Sequence, residues 1–294
     1  MFFIQSFKSA ELREKTREIG IVERSVKGNR GHIYDRNGEM LAETIHKYTF
    51  WVNTQEDIKK EEIIKLFSTE FRQPLSHYKH LLNQDKSYIK LTNGLLRTQC
   101  IRILSRIKDI PGLHYDMSIN RFYPYNSLTS HVIGYVDMDH KGQLGIEQQF
   151  DSALNGKVSK LIYNRAANGR INKSFTDKQP EIKNGLDLQL TLDVEIQTIL
   201  VDGLKRGLKK SHATSANGII LNPFTGDILA MASVPDYNPN NYQTHDITSF
   251  SNRTISDSYE PGSTFKLIAM AAIIESGLYK INDLIYCEEG EYQL

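Results

Sequence analysis

The spacing of apolar and polar residues predicts a mixed chain of helices and short strands. Apolar positions recur at helical spacing in three segments, residues 55–83 with a break at Pro74, residues 95–107 and residues 194–208. Asp193 stands before the last segment as an N-cap. Residues 265–274 are apolar on all sides, which predicts a buried helix that ends at Gly277. A shorter helix is expected around residues 146–154.

Strand signals fall between these helices. Aromatic and β-branched residues at 48–52 predict a strand, and the alternation at 186–192 predicts another. Two hairpins are predicted, one around the turn at residues 35–38 and one joining residues 218–221 to 228–232. Residues 131–135 suit a strand or a loop. Residues 9–27 are polar and helix-prone, and residues 165–185 suit an exposed connection.

Composition excludes some classes of function. Lys and Arg number 36 against 35 Asp and Glu, so the net charge of +1 gives no electrostatic basis for nucleic-acid binding. The longest apolar run, residues 267–274, is far shorter than the ~18 residues of a membrane-spanning helix. Cys100 and Cys287 have no metal-binding spacing, and His77 and His80 are expected on the surface. We expect no metal and no cofactor.

One Ser-x-x-Lys pair has the setting of a nucleophile and its base. Ser263 and Lys266 are three residues apart, so one helix face carries both. A lysine of ordinary pKa, about 10.4, is a poor base, but apolar surroundings and a helix N-terminus disfavour its charged form. Pro261-Gly262 predicts the helix start, and apolar neighbours flank Lys266. We predict that Lys266 takes the Ser263 proton and that amides at the helix start help to bind an oxyanion.

The spacing alone is weak evidence. Three further pairs share it: Ser76/Lys79, Ser87/Lys90 and Ser105/Lys108. Each lies in a polar stretch without a Pro-Gly entry, so we expect surface residues there. For Ser263 and Lys266 the alternative is a helix-capping serine and a lysine whose stem lies along an apolar surface.

The flanking blocks carry a family resemblance. Tyr237-Asn-Pro-Asn-Asn241, Asn252-Arg-Thr-Ile-Ser-Asp257 and Tyr259-Glu-Pro-Gly-Ser-Thr-Phe-Lys266 closely resemble the approach to the active serine of class B penicillin-binding proteins, most of all the division-specific transpeptidases. The hairpin at residues 218–232 is similar to the strand pair that opens that domain. Upstream, three blocks resemble motifs of the family's non-catalytic pedestal: Arg30-Gly-x-Ile-x-Asp-Arg-x-Gly38, Arg121-Phe-Tyr-Pro124 and Gly142-x-x-Gly-Ile-Glu147.

The resemblance extends from about residue 24 to the end and implies an α+β chain. An elongated pedestal at residues 28–180 would follow a membrane-proximal arm or linker at 1–27. Residues 181–294 would form the N-terminal part of a transpeptidase domain of the serine β-lactamase type, with an antiparallel sheet and a buried central helix. Arg30, Asp35, Arg36 and Glu147 of the pedestal motifs are predicted to form a structural charged network that braces the interdomain region.

The resemblance also implies the chemistry. A peptidoglycan D,D-transpeptidase would use Ser263 to attack the D-Ala-D-Ala of stem peptides, and β-lactams would trap the same serine. The implied setting is a single N-terminal anchor in the inner membrane with a periplasmic bulk. A membrane glycosyltransferase and division or elongation proteins are the implied partners. The family's Ser-x-Asn and Lys-Thr-Gly motifs do not follow Ser263. We therefore expect a fragment, shortened at both ends and inactive by itself.

Two other classes of function stay open. One is a catalytically incomplete interaction or scaffold protein of the cell-wall machinery. The other is a β-lactam sensor or β-lactamase, against which the long pedestal argues. An elongation role is not excluded, although the blocks at residues 237–241 and 252–257 favour division.

Overall fold

The structure, a computed structural model, describes residues 21–165, 171–173 and 181–286. Helices and strands are mixed along the chain, as the α+β prediction requires. The helices are α1 (Lys60–Phe71), α2 (Leu75–Leu82), α3 (Arg97–Arg106), α4 (Ser130–Ile133), α5 (Gly145–Gln149), α6 (Asp151–Leu154), α7 (Val194–Ser211), α8 (Arg253–Ser256) and α9 (Lys266–Ser276). In the part of the chain that the structure describes, no helix is both long enough and apolar enough to cross a membrane.

Within the described residues the strands form three sheets. They are β1 (Ile21–Lys27), β2 (Ile33–Tyr34), β3 (Met40–Asn53), β4 (Tyr88–Lys90), β5 (Leu95–Leu96), β6 (Leu113–Phe122), β7 (Val158–Arg165), β8 (Ile171–Lys173), β9 (Leu188–Gln189), β10 (Ala216–Leu221) and β11 (Ile228–Val234). In the largest sheet the long strand β3 pairs antiparallel with β2, β4, β5 and β6, and β9 joins β2 in parallel. The order β1-β7-β8 makes a second sheet, and β10-β11 makes a hairpin.

Several local predictions are confirmed. The turn at Asp35–Gly38 joins β2 to β3, with Gly38 at φ +90°, a region that glycine enters without steric cost. The second hairpin pairs β10 with β11. Asp193 caps α7 by accepting hydrogen bonds from the amides of Glu195 and Ile196 at 3.0 and 3.2 Å. The predicted helices of residues 55–83 and 95–107 are present as α1, α2 and α3.

Two apolar cores hold this part of the chain together. The first, which we call the head core, lies between β3 and helices α1–α3, with Phe50, Phe67 and Ile103 fully buried. The second, the base core, is built around Ile33, Leu41 and Tyr123, with residues of β9 and α7 packed against it. Residues of the predicted pedestal and of the segment that follows it therefore share the base core.

Glycines of the pedestal motifs stand where two backbones touch. A Cβ atom at Gly31 would lie 1.9 Å from the carbonyl oxygen of Leu186, and one at Gly142 would lie 1.9 Å from that of Glu147. Real Cβ atoms do not approach a backbone oxygen so closely. These two positions therefore require glycine for space, independently of φ.

Three predictions of secondary structure are wrong. Residues 21–27, predicted as part of a polar helix, form β1, because pairing with β7 overrides a weak local preference. Residues 131–133 belong to α4 rather than to a strand or loop, and its buried side chains Ser130, His131 and Ile133 supply the packing. The strand predicted over residues 186–192 shrinks to β9, whose partner is β2 of the predicted pedestal. Residues 1–20, and most of the predicted connection at 165–185, lie outside the described residues.

The chain divides into two compact units, residues 1–254 and 255–294. The first contains both cores, α7 and the β10-β11 hairpin, and the second contains α9. The predicted boundaries at residues 27 and 180 stay predictions.

Candidate active site

The second unit carries the predicted nucleophile. Ser263 lies in a turn of 3₁₀ helix, Gly262–Phe265, that leads directly into α9. Gly262 has φ +52°, a left-handed conformation that favours glycine. The Thr264 amide donates to the Pro261 carbonyl at 3.1 Å, and the Lys266 amide donates to the Ser263 carbonyl. The Pro-Gly entry thus ends the preceding loop and begins the helix, as predicted.

Lys266 follows Ser263 by one turn, at the first residue of α9. The spacing places both side chains on one face of the helical segment, but no hydrogen bond joins them among the residues that the structure covers. Both residues are exposed. Among the described residues, therefore, none provides the apolar enclosure predicted for Lys266.

The prediction of a buried helix is wrong for α9 as the structure describes it. Leu267 is 78% exposed and Ile268 is 60% exposed, and the remaining residues of the helix are exposed as well. Within residues 255–286 the other regular elements are the end of α8 and one short turn, which are too small to cover a helix. A helix that is apolar on all sides is expected to be buried, but its burial depends on other elements that pack against it.

The other Ser-x-x-Lys pairs lie where they were predicted. All six of their residues are exposed. Ser76 and Lys79 are on α2, Ser87 and Lys90 flank or belong to β4, and Ser105 is on α3 with Lys108 in the turn after it. His77 and His80 are exposed on α2.

The predicted charged network exists, with a partly different membership. Arg30 donates through Nε to Glu147 at 2.6 Å and through Nη1 to Asp151 at 2.7 Å. Arg121 donates through Nε to the other oxygen of Glu147 at 2.7 Å. The side chains of both arginines are almost fully buried, and Glu147 is 0% exposed. Two cations and two carboxylates leave this buried cluster electrically neutral.

Two predicted members of the network lie elsewhere. Asp35 accepts hydrogen bonds from the amides of Asn37, Glu39 and Val194, so it stabilises a turn and reaches the start of α7. Arg36 is exposed. Their places are taken by Arg121 and Asp151. The sequence shows Arg121 as the first residue of the Arg121-Phe-Tyr-Pro124 block, but it does not show that Arg121 lies next to Glu147.

Buried ionisable groups around this cluster have shifted pKa values. Burial raises the pKa of Tyr123 well above its usual value, and the Glu147 carboxylate adds to the shift. Burial opposes ionisation of Asp151, but the Gly142 amide and the Arg30 guanidinium together lower the pKa of Asp151. Tyr123 also donates to Glu147 at 3.4 Å.

The sequence block Tyr237–Asn241, ahead of the nucleophile, contacts the pedestal. Asn240 accepts from the Tyr123 amide at 3.0 Å and donates to the Tyr123 carbonyl at 2.9 Å. Tyr237, fully buried, donates through its hydroxyl to the Ser130 carbonyl at 3.0 Å. In the sequence, this block was recognisable only by its family resemblance. Its side chains form a joint between β11 and the pedestal.

Two more buried side chains complete that joint. Gln197 of α7 donates to the carbonyls of Leu128 and Met231 and accepts from the Met231 amide, each at 2.9 Å. The His131 ring contacts the Ser249 carbonyl through Nε2 at 2.9 Å, and burial lowers the pKa of His131. The pedestal, α7 and β11 are therefore connected by polar side chains that satisfy buried backbone groups.

Comparison with known families assigns both parts of the chain. Residues 25–190 match the penicillin-binding protein dimerisation domain, and residues 217–294 match the penicillin-binding protein transpeptidase domain. The first match alone covers more than half of the sequence. The chain therefore belongs to the penicillin-binding proteins, and the family resemblance inferred from its motifs is confirmed.

Sequence comparison shows which curated members of this family the chain resembles. The chain is 32% identical over 266 residues to a probable peptidoglycan D,D-transpeptidase PbpC of Pseudomonas aeruginosa, covering 89% of this chain and 46% of that protein. It is 32% identical over 252 residues to the stage V sporulation protein D of Bacillus subtilis, covering 84% and 38%. It is 27% identical over 267 residues to the peptidoglycan D,D-transpeptidase FtsI of Escherichia coli K12, covering 88% and 45%. The chain spans about half the length of these relatives.

A solved structure supports the fold. The crystal structure of penicillin-binding protein 2X from Streptococcus thermophilus is similar with a TM-score of 0.68 and 24% identity, covering 89% of this chain and 43% of that one. The predicted architecture, a pedestal followed by the first part of a transpeptidase domain, is confirmed.

Proposed function

We propose that this chain is part of a serine D,D-transpeptidase that cross-links peptidoglycan, with Ser263 as nucleophile and Lys266 as its base. The observation that carries the proposal is the Pro261-Gly262 entry into α9, which puts Ser263 at the helix start inside the segment that matches the transpeptidase domain. Relatives named D,D-transpeptidases favour this function over a non-catalytic scaffold.

In the proposed reaction, Lys266 in its neutral form removes the proton of the Ser263 hydroxyl. The Ser263 oxygen then bonds to the carbonyl carbon of the penultimate D-Ala of a stem peptide. When the tetrahedral intermediate collapses, the peptide C–N bond breaks, and the amine of the leaving D-Ala takes the proton from Lys266.

The resulting ester is resolved by a second amine. An amine of a neighbouring stem peptide attacks the acyl carbon and gives up a proton, the ester C–O bond breaks, and the Ser263 oxygen regains a proton. A β-lactam would acylate Ser263 by opening its own amide bond, and the ester formed would persist. Neither reaction needs a metal or a cofactor.

We further propose the setting of this reaction. A single N-terminal anchor would hold the protein in the inner membrane, with the bulk of the chain on the periplasmic side. The name FtsI among the relatives supports a septal role, with a membrane glycosyltransferase and division proteins as partners. Fractionation of cells expressing the whole reading frame, with protease added to spheroplasts, tests this. Protection from protease would contradict it.

Labelling with a fluorescent penicillin tests the catalytic assignment. The protein to use is the product of the whole reading frame that contains these 294 codons, because the chain spans about half of its relatives. We expect one labelled site, lost in Ser263→Ala and retained in Ser87→Ala, the matched serine of an exposed Ser-x-x-Lys pair.

A second variant separates a base from a mere positive charge. Lys266→Arg keeps the charge but cannot lose its proton near neutral pH, so we expect acylation to be lost. Circular dichroism of each variant controls for folding. Label that survives in Ser263→Ala would refute the nucleophile, and full acylation of Lys266→Arg would refute the base.

A further inference from the structure

One edge of strand β6 is not paired with another strand in the described part of the chain. The opposite edge pairs with β3 in unbroken register from Leu113 to Phe122. Edge strands in soluble proteins are usually blunted by proline, lysine or a bulge, since a free edge attracts another strand. The ten residues of β6 contain no proline, no lysine and no bulge, and the exposed charge on the strand is that of Asp116. Such an edge is expected to bind another strand.

The backbone groups that this edge offers follow from the hydrogen bonding of β3. The Asn53 amide donates to the Gly112 carbonyl, whereas the Phe50 carbonyl accepts from Leu91 on the opposite edge of β3. Antiparallel strands alternate between hydrogen-bonded and non-bonded pairs, and Phe50 faces Tyr115 in the second kind. The amides and carbonyls of Tyr115 and Met117 therefore point away from β3.

The edge is open over only part of the strand. Towards its C-terminal end, the His140 ring lies beside the backbone of Ile119, and Asn240 accepts a hydrogen bond from the Tyr123 amide. At the other end the Leu113 amide donates to the Ile110 carbonyl. We call the stretch between these contacts, residues 113–118, the open edge.

The two faces of the open edge differ in character. On one face Tyr115 is 43% exposed and Met117 is 53% exposed, and the Tyr115 ring contacts the core residues Tyr48 and Phe50 with centroids 5.7 and 6.0 Å apart. The other face carries Asp116, which is exposed and has no ion pair among the residues described. An incoming strand would meet an apolar surface on one side and a negative charge on the other.

A second copy of the chain suits this edge poorly. Two copies paired antiparallel with Tyr115 opposite Met117 would set Asp116 directly opposite Asp116, and like charges in that position are destabilising. The symmetric register centred on Met117 would need the outward groups of Ile119, which the His140 ring lies beside. The register centred on Tyr115 would need the Leu113 amide, which already donates to the Ile110 carbonyl. The charge therefore favours a partner that is chemically different.

We propose that the open edge binds an extended segment of another protein by strand addition. The segment carries apolar residues that pack on Tyr115 and Met117 and a basic residue opposite Asp116. Main-chain hydrogen bonds to Tyr115 and Met117 supply the attachment, and the side chains supply the selectivity.

Two capped, fluorescein-labelled peptides test this on the 294-residue chain: Val-Thr-Val-Lys-Val-Thr-Val and its counterpart with Glu in place of Lys. Fluorescence anisotropy gives the affinities, and ¹⁵N chemical shifts give the location. We expect the Lys peptide to bind about two- to fivefold more tightly, the range typical of one cross-strand charge pair. The largest shifts should fall on the Tyr115 and Met117 amides.

Three variants sharpen the test. Asp116→Lys should reverse the preference between the peptides. Met117→Pro removes one outward N–H without breaking a bond to β3, so binding should be lost. Ile101→Gln, which replaces an exposed apolar residue on α3, should change nothing.

The proposal has clear ways to fail. It is overturned if neither peptide binds the unchanged chain, if the shifts map elsewhere, or if Asp116→Lys leaves the preference intact. If Met117→Pro does not fold by circular dichroism, the Asp116→Lys result decides alone. A dimer in sedimentation velocity that Met117→Pro disperses would identify a second copy as the occupant and also overturn it.

Discussion

The substitution Glu147→Gln tests how much the buried charged cluster around Glu147 stabilises the pedestal. Glu147 is fully buried and accepts from Arg30 and Arg121 through different oxygens, at 2.6 and 2.7 Å. Glutamine keeps the shape, but its amide group replaces one acceptor with a donor that faces an arginine. Asp151 still neutralises Arg30. Arg121 keeps no carboxylate at ion-pair distance among the described residues.

The expected loss of stability is large. Removing one partner of a buried ion pair costs about 3–5 kcal/mol, because the remaining charge stays buried and uncompensated. A domain of this kind is stable by about 5–15 kcal/mol in total. The matched control is Glu62→Gln on the head, where the Glu62–Arg106 pair at 2.9 Å is partly exposed. An exposed pair is worth about 0–1 kcal/mol.

Urea unfolding followed by far-UV circular dichroism measures both variants. The double variant Glu147→Gln/Arg121→Gln removes one charge of each sign. We expect it to lose less stability than the two single variants together, with a coupling of about 0.5–3 kcal/mol. A loss below about 1 kcal/mol for Glu147→Gln, or strict additivity in the double variant, would refute the reasoning.

Three further predictions concern the first unit. Gly142→Ala should lower the free energy of unfolding by about 1–3 kcal/mol or more, because the new Cβ would meet a backbone oxygen. Gly203→Ala in α7, where nothing lies within 4 Å of the new Cβ, should raise the free energy of unfolding by about 0.5–1 kcal/mol. Thermal or urea unfolding measures both. Gln197→Ala leaves buried backbone groups unsatisfied and should cost about 2–3 kcal/mol in the same assay; a loss no greater than a surface substitution gives would contradict it. Burial lowers the pKa of His131, so the unfolded chain binds more protons between that pKa and about 6.5, and stability falls as the pH falls through this window. His131→Gln should flatten the decline of urea midpoints from about pH 7.5 to about pH 5.5, and His77→Gln on exposed α2 should not.

Features set by neighbouring residues could be predicted from the sequence. The turn at Asp35–Gly38, the Asp193 cap and the end of α9 at Gly277 each depend on chemistry within a few residues. The same holds for the Pro-Gly entry before Ser263. Family resemblance extended the prediction to the architecture, because several blocks in order restrict the fold far more than any one motif does.

Features that join distant residues could not be predicted in the same way. Asn240 and Tyr123 are 117 residues apart, and nothing in either block indicates that they are hydrogen-bonded. The helix-prone composition before residue 27 was misleading, because β1 owes its form to β7. The predicted burial of α9 was wrong for a related reason. The exposure of a helix depends on the elements that pack against it, and the sequence of the helix does not specify them.

The parallel pairing of β2 with β9 has a consequence for the order of events during synthesis. Every residue of the head core lies between Tyr48 and Leu113, so the ribosome supplies the head in one uninterrupted stretch. The base instead joins residues such as His32 and Asp187, which are 155 positions apart. Contacts at such separation form late, because a long loop must close first. We expect the head to fold on the nascent chain, while the edge of β2 that pairs with β9 stays open until residues 188–189 emerge and complete the base.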